Sequence, residues 1–504
     1  RGLGDVYKRQ RVDTADETYI AWTTDEVISL KEYLKYCIAM NWIDVSRLSI
    51  SEQYSDSEEI YSKIVDYILQ QLDEDAYFTK RIYRFMIKKD VISGNQICKI
   101  LLEQGIVDVD AQEEESFLHG AVSAYNFIMN RIRNLDITPA QLALDPHSAS
   151  MVITDVNTGD VLALVSYPGY DNNKMANGVD AEYFSQLLGD LSTPMINYAT
   201  NQLTAPGSTF KTTQALTFLQ EGIINTGTMY PCSGGFSYRG LHVGCHAHPS
   251  PLSLIPAIAT SCNGYFCWGL YYMIGARQKY GSVQKAMNTW RDYMVSMGFG
   301  YQLGIDLPGE KRGMIPNAQY YDKAYRRSWN GLTIISISIG QGEVTATPLQ
   351  IANLGATIAN RGYFVTPHVV KEIEGETIDS IYTTRRYTKV DKGHYEEVVQ
   401  GMRSAVLGGT CRTANIPELE ICGKTGTAQN HGKDHSAFMG FAPMNNPKIA
   451  IAVYVENGGW GATYGVPIGK LMIEKYLTGK LTAEDEALAT DIQNRRIDYG
   501  LQER

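Results

Sequence analysis

Two residues at the start of an apolar helical stretch could act together on a carbonyl group. Ser208 and Lys211 form an S-x-x-K pattern directly after the turn residues Pro206-Gly207. An i, i+3 pair shares one helix face, so the lysine amine can reach the serine hydroxyl. A serine is a weak nucleophile on its own, and a lysine with a lowered pKa can take its proton. The pattern predicts a serine nucleophile with a lysine base. A serine that caps the helix and a lysine on the surface would show the same S-x-x-K pattern.

Two further motifs supply more hydroxyl, amide and amine groups. A serine and an asparagine follow the apolar run from Leu252 to Ala259, and a K-T-G-T run follows residues 419–422. The residues are Ser261 and Asn263 in the first motif and Lys424, Thr425, Gly426 and Thr427 in the second. We expect Ser261 to pass the proton from Lys211 towards a leaving amine. Asn263 can hydrogen-bond both Lys211 and a substrate amide.

The K-T-G-T run suits the recognition of a carboxylate. Lys424 supplies a positive charge for it and lowers the pKa of neighbouring amines. Thr425 and Thr427 offer hydroxyl donors to the same carboxylate. At Gly426 a substrate can approach the strand edge, where a side chain would block it. Together the three motifs predict a serine enzyme that forms an acyl intermediate.

The order S-x-x-K, S-x-N, K-T-G is the signature of penicillin-binding proteins and serine β-lactamases. The long interval between Ser261 and Lys424, with G-Q-G at 340–342 and T-P-L-Q at 347–350, resembles the class B penicillin-binding proteins. Within that class the chain is similar to the elongation type, penicillin-binding protein 2, over residues 149–477. The resemblance implies an α+β fold, the penicillin-binding/transpeptidase fold shared with serine β-lactamases. Its antiparallel sheet is flanked by helices and preceded by a helix-rich N-terminal region.

The resemblance also implies an activity and its setting. Such proteins are peptidoglycan D,D-transpeptidases, which acylate a serine on the D-Ala-D-Ala end of a stem peptide and transfer the acyl group to a neighbouring strand. β-Lactam antibiotics trap that serine as a stable ester. By the same resemblance, the backbone N–H groups of Ser208 and Thr427 form the oxyanion hole. The expected location is the extracytoplasmic face of the cell membrane, with a single N-terminal anchor missing from this fragment. The expected partner is a membrane glycosyltransferase of the elongation machinery.

Two other kinds of protein share these motifs. A class A β-lactamase hydrolyses its acyl-enzyme with a glutamate-activated water. Between Ser261 and Lys424 no E-x-x-L-N segment supplies that glutamate. A β-lactam-sensing domain would form the ester and keep it, without transfer to an acceptor amine. The fate of the ester therefore separates a transpeptidase from both alternatives.

Cysteine and histidine residues cluster around the S-x-N motif in the sequence. Cys232, Cys245, His248 and Cys262 offer four nitrogen and sulfur donors, the set that structural Zn²⁺ sites use. Cys245 and His248 can bind one ion from a single turn, with His246 as an alternative ligand. We predict a zinc ion that holds the S-x-N loop from behind, while the chemistry itself needs no cofactor. A Cys232–Cys245 disulfide and unrelated buried thiols are the alternatives. Metal sites in some penicillin-binding protein 2 relatives have other ligand sets.

The composition bounds the size of the fold and excludes some functions. The 504 residues exceed one ordinary domain, and a hydrophobic content of 44% can build a large core. A net charge of −10 gives no sign of nucleic-acid binding. The chain begins with Arg1 rather than Met and has no apolar run of 18 residues. We expect a fragment of a longer chain, in which residues 1–10 do not belong to the fold.

Periodicity divides the chain into parts that position the motifs. Helical spacing from about residue 24 to 133 predicts a helix-rich N-terminal region over residues 1–136, with solvated charges and a turn at residues 93–95. Strand pairs at 151–165 and 437–455 belong to a predicted transpeptidase domain over residues 147–480. Thr347 and Pro348 begin a helix there, and residues 467–477 form the last one. A linker joins the two parts, and residues 481–504 form a C-terminal tail.

Overall fold

The computed structural model describes residues 12–25, 27–43, 57–73, 75–107, 109–134, 136–137, 148–190, 192–429 and 434–495. These residues form two compact units, one ending at residue 137 and the other beginning at residue 148. The first ten residues, and all of the predicted linker over 137–146 except Ile137, lie outside the described ranges. Within those ranges, no helix combines the length and the apolar character needed to cross a membrane.

The N-terminal unit is helical, as the periodicity predicted. Its described helices are α1 Glu17–Thr23, α2 Leu30–Ala39, α3 Ser57–Asp73, α4 Ala76–Lys88, α5 Gly94–Glu103, α6 Ala111–Leu118 and α7 Ala124–Arg133. The turn predicted at residues 93–95 is wrong, because Ser93 is the N-cap of α5. The Ser93 hydroxyl accepts from the Gln96 backbone N–H, and the Gln96 side chain accepts from the Ser93 N–H. This reciprocal pair satisfies two helix-end donors and so begins a helix.

Helices α4 to α7 form two helix pairs with the same spacing along the chain, offset by thirty residues. Helix α4 ends at Lys88 and α6 at Leu118, while α5 begins at Gly94 and α7 at Ala124. The equivalent residues Gly94 and Ala124 meet, since a Cβ on Gly94 would lie 3.2 Å from the Cβ of Ala124. Helices α5 and α7 thus meet at matching positions of an internal repeat that our sequence analysis missed.

One charged side chain of this unit departs from the expected solvated pattern. The Arg131 side chain is only 7% exposed and pairs with Glu113 at 2.6 Å and Asp136 at 3.1 Å. Its guanidinium also lies over the ring of Phe127. Buried cations need such partners, and through them Arg131 joins the first turn of α6 to the residues that follow α7.

A five-stranded antiparallel sheet forms the centre of the second unit. Its strands are β1 Ala149–Asp155, β2 Val161–Tyr167, β7 Cys422–Ala428, β8 His435–Ala442 and β9 Ile449–Val455, in the order β2-β1-β9-β8-β7. Both predicted hairpins are present, since β1 pairs with β2 and β8 with β9. The K-T-G-T residues lie on β7, the edge strand, whose outer side no other strand of the sheet covers.

Helices cover both faces of this sheet. Val152 of β1 belongs to one hydrophobic core, with the helix Pro348–Ala359, whereas Met151 and Ile153 belong to another, with the helix Gly465–Thr478. Successive side chains of a strand point to opposite faces, so the sheet lies between two helical layers. This arrangement is the α+β fold that the motifs implied.

The remaining elements of the second unit complete these layers. The helices are α8 Ala181–Gly189, α9 Tyr198–Asn201, α10 Lys211–Gln220, α11 Leu254–Ala259, α12 Asn263–Gly275, α13 Arg277–Tyr280, α14 Val283–Ser296, α15 Ala318–Ala324, α16 Pro348–Ala359, α17 Lys392–Leu407, α18 Gly465–Thr478 and α19 Ala483–Asn494. Two short hairpins pair β3 Gly235–Tyr238 with β4 Leu241–Gly244, and β5 Tyr363–Val365 with β6 Arg385–Tyr387. Helix α19 packs on α18 through a buried Lys470–Asp485 ion pair of 2.6 Å.

Helix α16 begins where its sequence predicted. Thr347 is the N-cap and Pro348 the first helical residue, and Gln350 completes a reciprocal capping pair. All residues of α16 are buried, so no water can replace a lost cap at its N-terminus. The cap therefore fixes the start of the main helix under the sheet.

Thr347→Val should destabilise the second unit by about 1–2 kcal/mol, because the Gln350 N–H loses its acceptor in a buried place. The midpoint of urea unfolding, followed by circular dichroism, measures this loss. Thr490→Val is the matched control, since Thr490 is exposed and its hydroxyl only donates to the Glu486 carbonyl. Equal midpoints for the two variants would contradict the assignment of the cap.

Candidate active site

Ser208 lies in one turn of 3₁₀ helix, Gly207–Phe210, that leads directly into α10. Every residue of α10 from Lys211 to Leu219 is buried, as the apolar pattern predicted. Lys211 itself has no exposed surface. A buried ammonium group is stable only when oxygen atoms surround it, so its partners define the site.

The partners of Lys211 all lie in the S-x-N motif. Its Nζ donates to the Ser261 carbonyl at 2.7 Å, to the Ser261 Oγ at 3.2 Å and to the Asn263 Oδ1 at 2.6 Å. Among the described residues the Ser208 hydroxyl has no hydrogen-bond partner, and Lys211 follows it by one helical turn. The structure brings the first two motifs together through Lys211.

Lys424 approaches the same serine from the sheet. Its Nζ donates to the Ser261 Oγ at 2.7 Å and to the Thr425 carbonyl at 3.2 Å. The hydroxyl of Ser261 therefore lies between two buried amines. Burial lowers the pKa of Lys211 to about 8. Burial, and then the charge of Lys211, lower the pKa of Lys424 well below its usual value. Both amines are thus closer to exchanging protons near neutral pH than free lysines are.

The S-x-N loop is held in an unusual backbone conformation. Ser261 has a φ of +57°, which costs a residue with a side chain about 1–2 kcal/mol. Two backbone bonds hold it, from the Ser261 N–H to the Ile258 carbonyl and from the Cys262 N–H to the Ala257 carbonyl. This turn ends α11 and presents both oxygens of Ser261 to Lys211.

The side-chain amide of Asn263 has a fixed orientation. Its Oδ1 accepts from Lys211, while its Nδ2 donates to the Gly244 carbonyl at 2.7 Å. One N–H of the amide group is therefore used inside the protein, and the second can donate to a ligand. The short hairpin β3–β4 thus supports the S-x-N motif from one side.

The K-T-G-T residues make contacts that the sequence motif did not predict. The Thr425 hydroxyl donates to the Thr410 Oγ1 at 2.9 Å, so its proton points into the protein. The Thr427 hydroxyl accepts from the Gly461 N–H at 3.4 Å and keeps its proton for another acceptor. A Cβ on Gly426 would lie 2.9 Å from the Ala437 Cβ and 3.1 Å from the Thr209 Cγ2. At Gly426 the glycine is therefore needed for close packing of the strand on the Ser208 turn.

Two polar residues outside the motifs touch them, and our sequence analysis assigned no role to either. Thr410 links the two loops behind the site, because its N–H donates to the Ala259 carbonyl and its hydroxyl accepts from Thr425. Gln341 donates from its Nε2 to the Thr427 carbonyl at 3.3 Å. The G-Q-G signature marked Gln341 as a family feature, but no letter pattern gives the direction of a side chain.

The four predicted metal ligands lie together. One donor atom from each of Cys232, Cys245, His248 and Cys262 lies within 4.8 Å of the others. The Cys245 Sγ and the His248 Nε2 are 3.4 Å apart, and the other ring nitrogen of His248 faces the Pro249 carbonyl at 2.8 Å. All eight cysteines of the chain lie in the described ranges, and all are free thiols.

The electrostatics of this cluster favour a thiolate at Cys245. A hydrogen bond from Cys262 lowers the pKa of the Cys245 thiol to about 2, against the opposing effect of burial. The Asn263 backbone N–H also donates to the Cys245 Sγ, at 3.2 Å. The same sulfur thus contacts the S-x-N motif directly. Three sulfur atoms and one imidazole nitrogen are a donor set that suits tetrahedral Zn²⁺.

Comparison with known proteins agrees with this geometry. Residues 149–474 match the family described as penicillin binding protein transpeptidase domain. The peptidoglycan D,D-transpeptidase MrdA of Acinetobacter baumannii is 30% identical over 465 residues, which cover 82% of this chain and 64% of the relative. MrdA of Haemophilus influenzae is 30% identical over 358 residues, covering 66% of this chain and 53% of the relative. The chain thus spans less than two thirds of the length of these relatives.

Solved structures show the same fold. PBP2 of Pseudomonas aeruginosa in complex with WCK 5153 is similar with a TM-score of 0.58 and 32% identity, covering 67% of this chain and 73% of that one. A structure described as structural coordination of polymerization and crosslinking by a peptidoglycan synthase complex has a TM-score of 0.59 and 29% identity. The match covers 71% of this chain and 59% of that one. These likenesses confirm the predicted fold class and the resemblance to the elongation type. The chain belongs to the penicillin-binding protein transpeptidase family.

Proposed function

We propose that this protein is a serine D,D-transpeptidase that cross-links peptidoglycan stem peptides during cell-wall synthesis. The observation that carries the proposal is the Ser261 hydroxyl between the Nζ atoms of Lys211 and Lys424, at 3.2 Å and 2.7 Å. Two buried amines with lowered pKa values around one hydroxyl form a path for protons beside a free serine nucleophile. Acyl transfer through Ser208 needs such a path twice, once to remove a proton and once to return it.

Acylation begins when Ser208 attacks the carbonyl of the terminal D-Ala-D-Ala bond. Neutral Lys211 takes the hydroxyl proton, and the negative charge develops on the carbonyl oxygen. The N–H groups of Ser208 and Thr427 would stabilise that oxygen, an effect of about 3 kcal/mol for one such donor. Lys424 and the free hydroxyl proton of Thr427 bind the terminal carboxylate. The Thr425 hydroxyl would bind the carboxylate only after its hydrogen bond to Thr410 is broken.

The proton then leaves Lys211 as acylation is completed, and deacylation uses the same path in reverse. Ser261 passes the proton from Lys211 to the leaving amine of D-Ala, and the C–N bond breaks. An amine of a neighbouring stem peptide then attacks the ester, loses its proton along the same path and releases Ser208. The free N–H of the Asn263 amide donates to the backbone of the bound peptide. No step in this sequence uses a cofactor.

The setting of the activity follows from its substrate. Peptidoglycan lies outside the cell membrane, so the protein would act at the extracytoplasmic face. A polymerising glycosyltransferase is the proposed partner, supported by the likeness to a peptidoglycan synthase complex. We assign catalysis to a domain over residues 147–480 and a non-catalytic supporting role to residues 1–136. Residues 481–504 include α19, which packs on the catalytic unit.

We also propose that Cys232, Cys245, His248 and Cys262 hold a structural zinc ion. The donor set and the mutual distances within 4.8 Å support it. His248 would use its Nε2, because its other ring nitrogen faces the Pro249 carbonyl. A bound ion would supply no chemistry beyond a rigid link. The link would fix Cys262, and with it the neighbouring Ser261 and Asn263, against the β3–β4 hairpin.

Incubation with penicillin should add the mass of the drug to Ser208, and the adduct should persist for minutes to hours. Ser208→Ala should remove the adduct without loss of folding, since the Ser208 side chain makes no cap bond. Intact-protein and peptide mass spectrometry measure both results, with the exposed Ser328→Ala as a control that keeps the adduct.

The lifetime of the adduct tests the alternatives. Rapid multiple turnover of a chromogenic β-lactam would favour a serine β-lactamase. A stable ester together with no cross-linking of a stem-peptide donor to an acceptor amine would favour a sensing domain. An adduct that survives in Ser208→Ala would contradict the assignment of the nucleophile.

The rate constant of acylation should rise with pH. Burial brings the pKa of Lys211 to about 8, so about one tenth of the protein has the neutral base at pH 7 and about nine tenths at pH 9. A roughly tenfold increase between these pH values is expected, measured by stopped-flow acylation with a fluorescent penicillin. Lys211→Arg should abolish this increase with pH, because a guanidinium stays charged. A rate that is constant or falls over this range would exclude Lys211 as the base.

The purified chain should contain about one zinc ion. Cys245→Ser should lose the metal and slow acylation, whereas Cys98→Ala, a buried cysteine outside the cluster, should change neither. Plasma mass spectrometry measures the metal, and alkylation counts the free thiols. A metal-free chain that lacks free thiols at Cys232 and Cys245 would establish the disulfide instead.

A further inference from the structure

We propose that Gln341 is a positioning residue that aims the backbone N–H of Thr427 at the reacting carbonyl oxygen. The inference rests on the proposed function and adds a residue outside the three motifs to it. Gln341 follows Gly340 in a loop after the 3₁₀ turn Ile335–Ile339. This loop touches both the Ser208 turn and the edge strand β7, the two segments that supply the oxyanion donors.

The loop and the Ser208 turn meet backbone to backbone. The Gly207 N–H donates to the Gly340 carbonyl at 2.9 Å. A Cβ on Gly340 would lie 2.2 Å from the Gly207 carbonyl oxygen, a distance that no side chain can occupy. Gly340 has a φ of +70°, which also favours glycine. The position of Gln341 is therefore fixed relative to the nucleophile.

The Ser208 turn in turn meets the edge strand. A Cβ on Gly207 would lie 2.7 Å from the carbonyl oxygen of Thr427 and 3.2 Å from its nitrogen. Both backbone atoms of Thr427 therefore face the Ser208 turn. In an extended strand the N–H and the C=O of one residue point to the same side. A group that holds the Thr427 carbonyl consequently also fixes the direction of the Thr427 N–H.

Gln341 is the side chain that holds this carbonyl. Its Nε2 donates to the Thr427 carbonyl oxygen at 3.3 Å, across the open side of the edge strand. Its own backbone N–H donates to the Ser336 carbonyl at 3.1 Å, so the side chain extends from a fixed point. Without this donor the carbonyl would bond to water, and the outer edge of β7 at Thr427 would be held only by its pairing with β8. The N–H of Thr427 would then be less well aligned when the oxyanion forms.

This role predicts a specific kinetic change. An oxyanion donor acts on the transition state, whereas the carboxylate contacts of Lys424 and Thr427 act on the bound drug. Loss of the Gln341 donor should therefore lower the rate constant of acylation and leave the dissociation constant of the noncovalent complex unchanged. A merely structural role would instead weaken drug binding, or lower the midpoint of thermal unfolding together with the rate.

The test uses Gln341→Met, which keeps the length of the side chain and removes the donor. We expect the rate constant of acylation by a fluorescent penicillin to fall about five- to tenfold, with the dissociation constant within about twofold of the wild type. The matched control is Gln220→Met. Its side-chain amide donates to Asp391 at 3.2 Å, at the opposite end of α10 from Lys211, and its loss should leave acylation unchanged.

A second measurement isolates the oxyanion hole. A boronic acid forms a tetrahedral adduct with the serine and imitates the transition state. Its affinity should fall in Gln341→Met by the same factor as the rate constant. An unchanged rate constant in this variant, or a loss confined to the dissociation constant, would overturn the inference. If the wild type itself were not acylated at Ser208, the proposed function would fail first, and the two outcomes are distinct.

Discussion

The structure of the site depends on two buried lysine amines that donate to the same serine oxygen. Lys211 and Lys424 are both fully buried, and both donate to the Ser261 hydroxyl. Moving an ammonium group out of water costs several kcal/mol, and a second one nearby adds repulsion. The protein compensates with the Ser261 carbonyl, the Asn263 amide oxygen and the Thr425 carbonyl. The remaining cost appears as lowered pKa values of both amines.

This constraint explains the architecture around the site. One lysine comes from a fully buried helix, the other from the edge strand of the sheet, and the shared serine from a turn between two helices. Ser261 presents both of its oxygens only because the turn takes a left-handed conformation. Groups outside the motifs maintain that turn: the β3–β4 hairpin behind Asn263, the cysteine cluster beside it, and Thr410 between Ala259 and Thr425. Several separate segments of the second unit thus hold the Ser261 hydroxyl in place.

The sequence predicted those features that depend on residue type at short range. The capped helix after Thr347, both sheet hairpins and the fully buried helix after Ser208 followed from local patterns. The four metal-ligand candidates also lie together, as their closeness along the sequence indicated. Contacts between distant segments were not predictable. The direction of the Thr425 hydroxyl and the bond from Gln341 depend on how loops pack, and no periodicity records that. The turn predicted at Ser93 failed because S-G-N reads equally as a loop and as a helix cap.

The backbone contacts among Gly340, Gly207 and Thr427 limit which substitutions the site can accept. A single methyl group on Gly340 would meet the Gly207 carbonyl at 2.2 Å, and one on Gly207 would meet the Thr427 carbonyl at 2.7 Å. A substitution at either glycine would push the Ser208 turn away from strand β7. Backbone atoms alone therefore set the distance between the Ser208 turn and Thr427. Substitutions that leave this distance unchanged are confined to other positions of the site.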